Sequence, residues 1–291
     1  MPIKKVLQKI EIQKILKTIT TKYGRKLILM YSKEHIMYLK KEKRKKIKII
    51  FFQIIIPIIF LSIWQILTEF KFINTFLFSS PKNIINTIIK LSSNNLLDHM
   101  WITFYETLIS FLLASFLGLL IATILWFKPT IAKIIEPYLT IINSLPKVAL
   151  GPLIIIWVGA SINSIIVMSL MISLFISIIN IYNSFISTDE TFIILFKSLK
   201  ANKYQLFYKL ILPANKNNIF NTLKINISMS LIGVIMGELL VSKKGLGYLI
   251  MYGSQVFNID LIITSVFILG LFSYLIYFII NIIEKYYVKK K

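Results

Sequence analysis

Residues 189–214 read DETFIILFKSLKANKYQLFYKLILPA, and this stretch decides how the rest of the chain is interpreted. It lies between two long apolar runs, yet it carries Lys197, Lys200, Lys203 and Lys209. A charge at the centre of a membrane-spanning helix costs about 2.5–3.5 kcal/mol on insertion scales. The stretch is therefore too polar to cross a bilayer, and we predict that the chain returns to water here.

The spacing of the apolar residues predicts two short amphipathic helices within this stretch. Asp189 or Thr188 is expected to cap the first helix. Residues 200–202 are expected to form the turn, and Pro213 to close the second helix. Such a pair is suited to docking a soluble partner, although an ordinary interfacial loop would show the same pattern. The apolar positions are Phe192, Leu195, Phe196 and Leu199 in the first helix and Tyr204, Phe207, Leu210 and Ile211 in the second.

The composition is typical of a multi-span membrane protein. Hydrophobic residues make up 56% of the 291 residues, charged residues make up 16%, and the mean hydropathy is +0.75. These values lie outside the range of soluble domains. The chain has no cysteine, which excludes disulfides, thiolate catalysis and cysteine metal ligands. With only His35 and His99 as histidines and no cluster at metal-ligand spacing, we expect neither a metal site nor catalysis.

Six apolar runs predict an all-α, polytopic membrane protein with six transmembrane helices. The predicted organisation is a basic tail over 1–48, a membrane domain over 49–285 that contains the loop 188–216, and a basic tail over 286–291. The predicted spans are Ile49–Leu67, Trp101–Phe127, Pro137–Val158, Ser164–Ser184, Ile219–Val241 and Leu261–Ile283.

The basic residues are distributed unevenly, and this predicts the orientation. With the N terminus in the cytoplasm, 28 of the 34 Lys and Arg residues fall on cytoplasmic segments and five on outside segments, where Lys224 near the cytoplasmic end of the fifth span is counted as cytoplasmic. The positive-inside rule therefore places both termini in the cytoplasm. Sixteen of these residues lie within 1–48, where apolar residues from Ile3 to Ile19 recur at roughly helical spacing. Such a helix binds anionic lipid, and we favour this interpretation over nucleic-acid binding.

The predicted third span is interrupted by Pro146, Gly151 and Pro152. A proline frees a backbone carbonyl, which must find another partner when the helix lies in the bilayer. An interrupted helix therefore belongs against other protein or beside a water-filled path. The sequence predicts either a segment that lines a translocation path or an ordinary structural kink.

Glu238 is the most informative acidic residue because it falls late in the predicted fifth span. An ionisable residue inside a membrane span suggests a functional site. Its partner would be a hydroxyl such as that of Ser230, or backbone N–H groups near Gly233 and Gly237. The alternative is a shallow, solvated position at the outer interface.

The chain contains no Gly-rich loop that ends in Gly-Lys-Ser or Gly-Lys-Thr. In P-loop proteins such a loop holds the phosphates of ATP. If this membrane protein takes part in a process driven by ATP, a second polypeptide must bind the ATP and Mg. We therefore expect a non-enzymatic chain without a cofactor of its own.

Two separated motifs agree with one family of membrane proteins. The first consists of Ser198, Leu199, Ala201, Tyr204, Gln205, Leu206, Phe207 and Leu212 to Ala214, and the second of Gly233, Val234, Glu238, Leu239 and Gly245 to Ile250. They resemble the permeases of binding-protein-dependent ABC importers, in particular the nitrate, sulfonate and taurine branch. Weaker agreement, which includes Trp64, Gln65, Ser80 and Pro81, extends the resemblance over residues 55–285.

The resemblance implies a type I importer permease fold in a homodimer, two ATPase subunits and an extracytoplasmic solute-binding protein. It also implies alternating access, with the loop 188–216 coupling the spans to the ATPase. The implied coupling residues are Phe192, Leu195, Phe196, Leu199, Lys200, Ala201, Tyr204, Gln205, Phe207 and Pro213. The implied path or gate residues are Pro146, Gly151, Pro152, Gly233, Glu238, Gly245 and Gly247.

The chain departs from the family pattern at the turn. Ile194, Leu195 and Phe196 stand in place of Glu-Ala-Ala, and Lys200 stands in place of a glycine. A turn glycine is usually explained by a positive φ, which costs a residue with a β-carbon about 1 kcal/mol or more. Either the turn differs here or the coupling geometry has changed. Glu106 stands where the family tends to have a basic residue.

Several functions stay open at this point. The favoured one is an importer permease that moves a sulfonate-, nitrate- or taurine-like anion or a thiamine-precursor-like molecule. A stand-alone secondary transporter or channel would place more charges in its spans than Glu106, Lys147 and Glu238. A membrane-anchored nucleic-acid-binding protein would leave the helix pair without a purpose. The altered turn is also compatible with a degenerate permease.

Overall fold

The computed structural model describes residues 22–92 and 95–288, and every regular element within these ranges is helical. The chain forms two compact units, one ending at Glu69 and the other beginning at Phe70. The first unit contains α1 (Lys22–Glu69). The second contains α2 (Thr75–Phe78), α3 (Pro81–Ser92), α4 (Leu96–Phe127), α5 (Pro129–Ser144), a 3-10 turn (Lys147–Leu150), α6 (Gly151–Val158), α7 (Ile162–Ile186), α8 (Glu190–Ser198), α9 (Lys203–Leu206), a π-helical turn (Phe207–Ile211), α10 (Leu212–Ala214), α11 (Lys216–Val241), α12 (Leu246–Gln255) and α13 (Ile259–Val288).

Five helices of the described residues are long and apolar enough to cross a bilayer. They are the part of α1 from Met37 to Glu69, α4, α7, α11 and most of α13. Helix α5 and the segment 147–158 pass the same test together, although they are bent by 84°. With this pair counted as one span, the predicted all-α fold with six spans is confirmed.

Helix α1 runs without a break across the predicted boundary at residue 48. Its apolar segment, Met37–Glu69, is longer than the predicted first span, and none of the residues in its most apolar window is buried. The charged run before the span therefore belongs to the same helix. The predicted amphipathic helix from Ile3 to Ile19 lies outside the described residues.

Helix α7 is central to the second unit, where it packs against α4 and α11. Small residues allow this close approach. A Cβ on Gly233 of α11 would lie 2.4 Å from Ser169 Cα, and one on Gly118 of α4 would lie 2.4 Å from Ser177 Oγ. The Ser169 hydroxyl also donates to the carbonyl of Ser230 at 2.9 Å. Such contacts are how membrane helices pack tightly when both they and the lipid are apolar.

The predicted third span is broken where its sequence is interrupted. Helix α5 begins earlier than predicted, at Pro129, and continues through Pro137. Leu145 after it is extended, with φ −64° and ψ 142°. The 3-10 turn then leads into α6, which begins at Gly151. The bend therefore separates two short helices, neither of which crosses the membrane alone by the 1.5 Å rise per residue.

Candidate functional site

The first helix of the predicted pair begins at the residue that the sequence indicates. Asp189 Oδ1 accepts a hydrogen bond from the Thr191 backbone N–H at 2.8 Å and so caps α8. This hydrogen bond lowers the pKa of the Asp189 carboxyl from its usual value. Thr188, the alternative cap, instead donates to the carbonyl of Phe185 and accepts from the Asn215 side chain.

The turn after α8 keeps the backbone geometry that normally selects glycine. Lys200 has φ +56°. Its N–H donates to the carbonyl of Lys197 at 2.9 Å, and the N–H of Ala201 donates to the carbonyl of Phe196 at 3.0 Å. These two bonds form a Schellman motif with Lys200 in the left-handed position. The turn has therefore not been rebuilt, and Lys200 accepts the strain that a glycine would avoid.

Helix α9 begins with a reciprocal cap. Asn202 Oδ1 accepts from the Gln205 N–H at 2.7 Å, and Gln205 Oε1 accepts from the Asn202 N–H at 3.0 Å. This capping box gives Gln205 a structural role. The chain then stays helical through the π-helical turn and α10. Pro213 is the second-last residue of α10, so the second helix ends at Ala214, one residue beyond the predicted closing position.

One side of the helix pair is buried in the chain. Phe207 is 2% exposed, and its ring lies 5.0 Å from Trp126, 5.1 Å from Phe127 and 5.4 Å from Phe185, measured between centroids. Phe196 packs against the same cluster. Although the resemblance implies that Phe207 touches a partner subunit, the structure gives its ring no free surface. Phe207 instead anchors the helix pair to α4 and α7.

The other side of the helix pair is apolar and exposed. Its members, which we call the exposed apolar side, are Phe192, Ile194, Leu195 and Leu199 of α8. Their exposed fractions range from 51% at Phe192 to 71% at Leu199. Tyr204 of α9 is also 68% exposed, but its ring lies 5.2 Å from that of Phe127 and so contacts the buried cluster. A contiguous apolar surface beside polar residues usually marks an interaction site.

Lys203 holds α9 to the end of α4, which the sequence did not reveal. Its Nζ donates to the carbonyl of Phe127. The same ammonium lies 5.8 Å from the ring centroids of Trp126 and Phe127. Both contacts are favourable for a cation, since it meets a helix C terminus and aromatic faces together. No local pattern signals them because the partners lie far away in the chain.

A second cluster surrounds Glu238, which is only 1% exposed. Thr103 Oγ1 donates to Glu238 Oε1 at 2.6 Å, and the Gly247 N–H donates to Glu238 Oε2 at 2.5 Å. Thr103 Oγ1 also accepts from the Leu246 N–H at 2.8 Å. Glu238 is therefore buried, not solvated. Its partners are Thr103 and Gly247, and not the Ser230 hydroxyl or the N–H groups near Gly233 and Gly237 that the sequence suggested. Glu238 joins α4, α11 and the start of α12.

The N terminus of α12 is satisfied entirely by side chains from other helices. His99 Nδ1 accepts from the Gly245 N–H at 3.0 Å. With the bonds from Leu246 to Thr103 and from Gly247 to Glu238, three consecutive N–H groups have side-chain acceptors. The first N–H groups of a helix lack partners within it, so this cluster replaces a local cap. His99 and Thr103 were not predicted as site residues because nothing near them in sequence points to α12.

Two glycines in this cluster have no room for a side chain. Gly245 has φ +112°, and a Cβ there would lie 2.3 Å from Glu238 Cδ. A Cβ on Gly247 would lie 2.7 Å from Glu238 Cβ. A positive φ favours glycine, and the close contact excludes larger residues. These glycines are thus explained by packing against one carboxylate.

Glu106 lies beside Glu238 in the interior. It is fully buried, and its carboxyl group lies within hydrogen-bonding reach of the Glu238 carboxyl and has no other hydrogen-bond partner among the described residues. Nothing in the structure explains why this position is acidic.

Within residues 22–92 and 95–288, no group of three His, Asp or Glu side chains could hold a metal ion.

The residues of the broken span do not form one cluster. Gly151 is buried, and a Cβ on it would lie 2.7 Å from Leu240 Cδ1. Pro146 and Pro152 are exposed. Gly233, the remaining predicted path residue, lies at the contact of α7 with α11.

Curated relatives cover most of this chain. A probable ABC transporter permease protein of Haemophilus influenzae is 29% identical over 77% of this chain and 91% of its own length. The formylaminopyrimidine transport permease protein ThiX of Halalkalibacterium halodurans is 29% identical over 57% of this chain and 67% of its own length. The putative aliphatic sulfonates transport permease protein SsuC of Bacillus subtilis is 25% identical over 80% of this chain and 84% of its own length.

The fold also matches a solved transporter. The methionine ABC transporter MetNI, in an inward-facing conformation, superposes with a TM-score of 0.58 at 20% identity, over 65% of this chain and 94% of the matched chain. The family described as binding-protein-dependent transport system inner membrane component matches residues 114–291. The chain is a multi-pass inner-membrane protein with the type I importer permease fold. It belongs to the family of inner-membrane components of binding-protein-dependent transport systems and is the permease subunit of an ABC importer.

Proposed function

We propose that this permease works as a homodimer in which each copy docks one ATPase subunit on the exposed apolar side of residues 188–216. ATP and Mg are bound by the ATPase. The observation that supports this most directly is the division of the helix pair into a buried side and an exposed side. A loop that only connected two spans would have no reason to leave Phe192, Leu195 and Leu199 exposed on one side of the helix pair.

The buried side explains how movement of the ATPase would reach the membrane. Phe207 packs against Trp126 and Phe127 at the end of α4 and against Phe185 near the end of α7. Lys203 adds a polar contact to the same end of α4. A displacement of the helix pair is therefore transmitted to two central helices, because packed cores move as units. This is the coupling that alternating access requires.

The turn argues against a degenerate permease. Lys200 retains the positive φ and both bonds of the Schellman motif. Phe196 and Phe207 still pack into one cluster. At the replaced Glu-Ala-Ala positions, Ile194 and Leu195 make the docking surface more apolar, whereas Phe196 belongs to the buried cluster that keeps its framework in place.

The orientation follows from the distribution of charge. We place both termini and residues 188–216 in the cytoplasm, because most Lys and Arg residues then lie on that side. The α12 segment lies on the opposite side, where an extracytoplasmic binding protein would deliver the solute. The basic residues at either end of the chain then face anionic lipid, not nucleic acid.

The solute is proposed from the relatives. Two of them are named for aliphatic sulfonates and for formylaminopyrimidine. We therefore propose a small organic solute that is either a sulfonate-, nitrate- or taurine-like anion or a molecule resembling a thiamine precursor.

Tagged purification from native membranes in mild detergent tests the docking surface. The native chain should retain an ATPase subunit, which mass spectrometry identifies, and should show ATPase activity. Leu195→Asp should abolish both while the protein still inserts, since a carboxylate would be desolvated at the contact. The matched control is Leu77→Asp, because Leu77 is similarly exposed at 58% but lies in α2. Retention of the ATPase by Leu195→Asp, or its absence from the native chain, would contradict the proposal.

A further inference from the structure

Lys147 is a membrane-embedded cation at the break in the third span. It opens the 3-10 turn at the 84° bend between α5 and α6. Its Nζ donates to Asn143 Oδ1 at 2.8 Å and lies 5.9 Å from the centroid of the Phe175 ring. The side chain is partly exposed. The ammonium thus has two weak local partners and keeps donors available.

Phe175 gives the depth of this ammonium. It is residue 14 of the 25 residues of α7, a helix that spans the membrane. Lys147 therefore lies near the middle of the bilayer rather than at an interface. A lysine near a helix end can reach the headgroups with its long side chain, but one at this depth cannot do so easily.

Lys147 has no counter-charge among the described residues, and Lys224 shows the contrast. Lys224 Nζ forms an ion pair with Glu284 at 2.5 Å, with side chains 15% and 18% exposed. The chain therefore neutralises Lys224, whereas Lys147 has no anion beside it among the described residues. An uncompensated charge at mid-membrane is retained where it meets water or a ligand.

We propose that Lys147 binds the anionic group of the solute as it passes the bend. The inference rests on the proposed import function and narrows the solute class to anions, such as nitrate or molecules with a sulfonate, carboxylate or phosphate group. The break supports it, since the interrupted helix leaves an irregular backbone that is stable only against protein or a water-filled path. The amide of Asn143 orients the ammonium, and the ring of Phe175 stabilises it when no anion is present.

The absence of cysteine allows a direct test. Ala149→Cys places the only thiol of the chain in the same exposed turn as Lys147. Its rates of modification are measured with two membrane-impermeant methanethiosulfonates, the anionic sulfonatoethyl and the cationic trimethylammonioethyl reagent. The protein is the full chain in proteoliposomes, alone and with its ATPase. A local positive charge speeds the anionic reagent and slows the cationic one.

The expected result is a preference for the anionic reagent that depends on Lys147. The ratio of the two rates should fall by roughly fivefold or more when Lys147→Gln is added, and should be retained with Lys147→Arg. The control is Lys224→Gln with Glu284→Gln, which removes an embedded lysine that is already paired and should leave the ratio unchanged. Lys147→Met serves as a second neutral variant if Lys147→Gln does not fold.

Two outcomes would overturn the inference. If neither reagent reaches the thiol introduced at position 149 in any state, the bend is not in a water-filled path. If both reagents react and the ratio of their rates is unchanged by Lys147→Gln, the ammonium does not select anions. The labelling needs no ATPase docking, and Lys147→Gln should still retain the ATPase. If the permease binds no ATPase but the ratio of labelling rates still depends on Lys147, the proposed ATPase docking is contradicted and the Lys147 inference stands.

Discussion

Residues 188–216 and 242–258 both connect membrane spans, but they are held in opposite ways. The first keeps its own local caps, at Asp189 and at Asn202 with Gln205, and rests on a large aromatic cluster. The second has no local cap at α12 and depends on side chains from α4 and α11. The first therefore has free apolar surface, whereas the second buries its polar groups around Glu238.

The difference indicates which segment can move as a body. A locally capped helix pair keeps its shape when it is displaced, because its hydrogen bonds travel with it. The start of α12 cannot leave Thr103 and Glu238 without exposing three N–H groups and a buried carboxylate. We expect the first segment to transmit force and the second to hold three helices together.

Removing the aromatic anchor should have the largest effect. Phe207→Ala should lower the free energy of unfolding by about 3–5 kcal/mol, because a fully buried ring leaves a cavity. Thermal unfolding in detergent measures this. Tyr208→Ala, at a neighbouring ring that is 62% exposed, should change stability little. Equal losses in the two variants would show that the anchor is not Phe207.

A smaller loss is expected from filling the space beside Glu238. Gly245→Ala combines an unfavourable positive φ with a Cβ 2.3 Å from Glu238 Cδ. We expect a loss of about 2–4 kcal/mol from backbone strain and weakened hydrogen bonds. Gly270→Ala is the control, because a Cβ there meets nothing within 4 Å. A native unfolding temperature for Gly245→Ala would refute the tight packing around the carboxylate.

Removing the Thr103 hydroxyl tests the hydrogen bonds that join Glu238 to the start of α12. Thr103→Val keeps the shape but leaves the Leu246 N–H without its acceptor and removes the Thr103 hydrogen bond to Glu238, so we expect a loss of about 1–3 kcal/mol. Hydrogen exchange should show faster exchange of the first amides of α12. Thr140→Val is a suitable control, since the Thr140 hydroxyl bonds only to the Glu136 carbonyl in its own exposed turn. Unchanged exchange would mean that Thr103 does not hold α12.

The smallest effect on stability should be a gain, from a substitution in the locally capped segment 188–216. Lys200→Gly relieves the positive φ and should stabilise the turn by about 1 kcal/mol. Lys197→Gly, within α8, should instead destabilise by about 1 kcal/mol, because glycine is unfavourable inside a helix. Unfolding temperatures of the two variants should move in opposite directions. A loss with Lys200→Gly would show that the Lys200 side chain supplies more than backbone geometry.

Local features of the site were predictable and distant ones were not. The cap at Asp189, the turn at residues 200–202 and the break near Pro146 follow from residue preferences within a few positions. Glu238 is bonded to Thr103, 135 positions away, and the N terminus of α12 is bonded to His99, 146 positions from Gly245. Phe207 is likewise buried by rings from α4 and α7, which are remote in sequence. The apolar spacing of the helix pair identified two helices, but it did not say which apolar residues face the chain.

The sequence by itself determined that this is an all-helical membrane protein with six spans, because apolar runs long enough to cross a bilayer can satisfy their backbone only as helices. It also determined the family, through two motifs at their expected distance. Only the tertiary structure decided that Phe207 is an anchor, that Glu238 organises α12, and that Lys147 has no counter-charge among the residues that the structure describes. Those facts depend on which side of each helix meets a neighbour, and that is set by packing among α4, α7 and α11 rather than by any one segment.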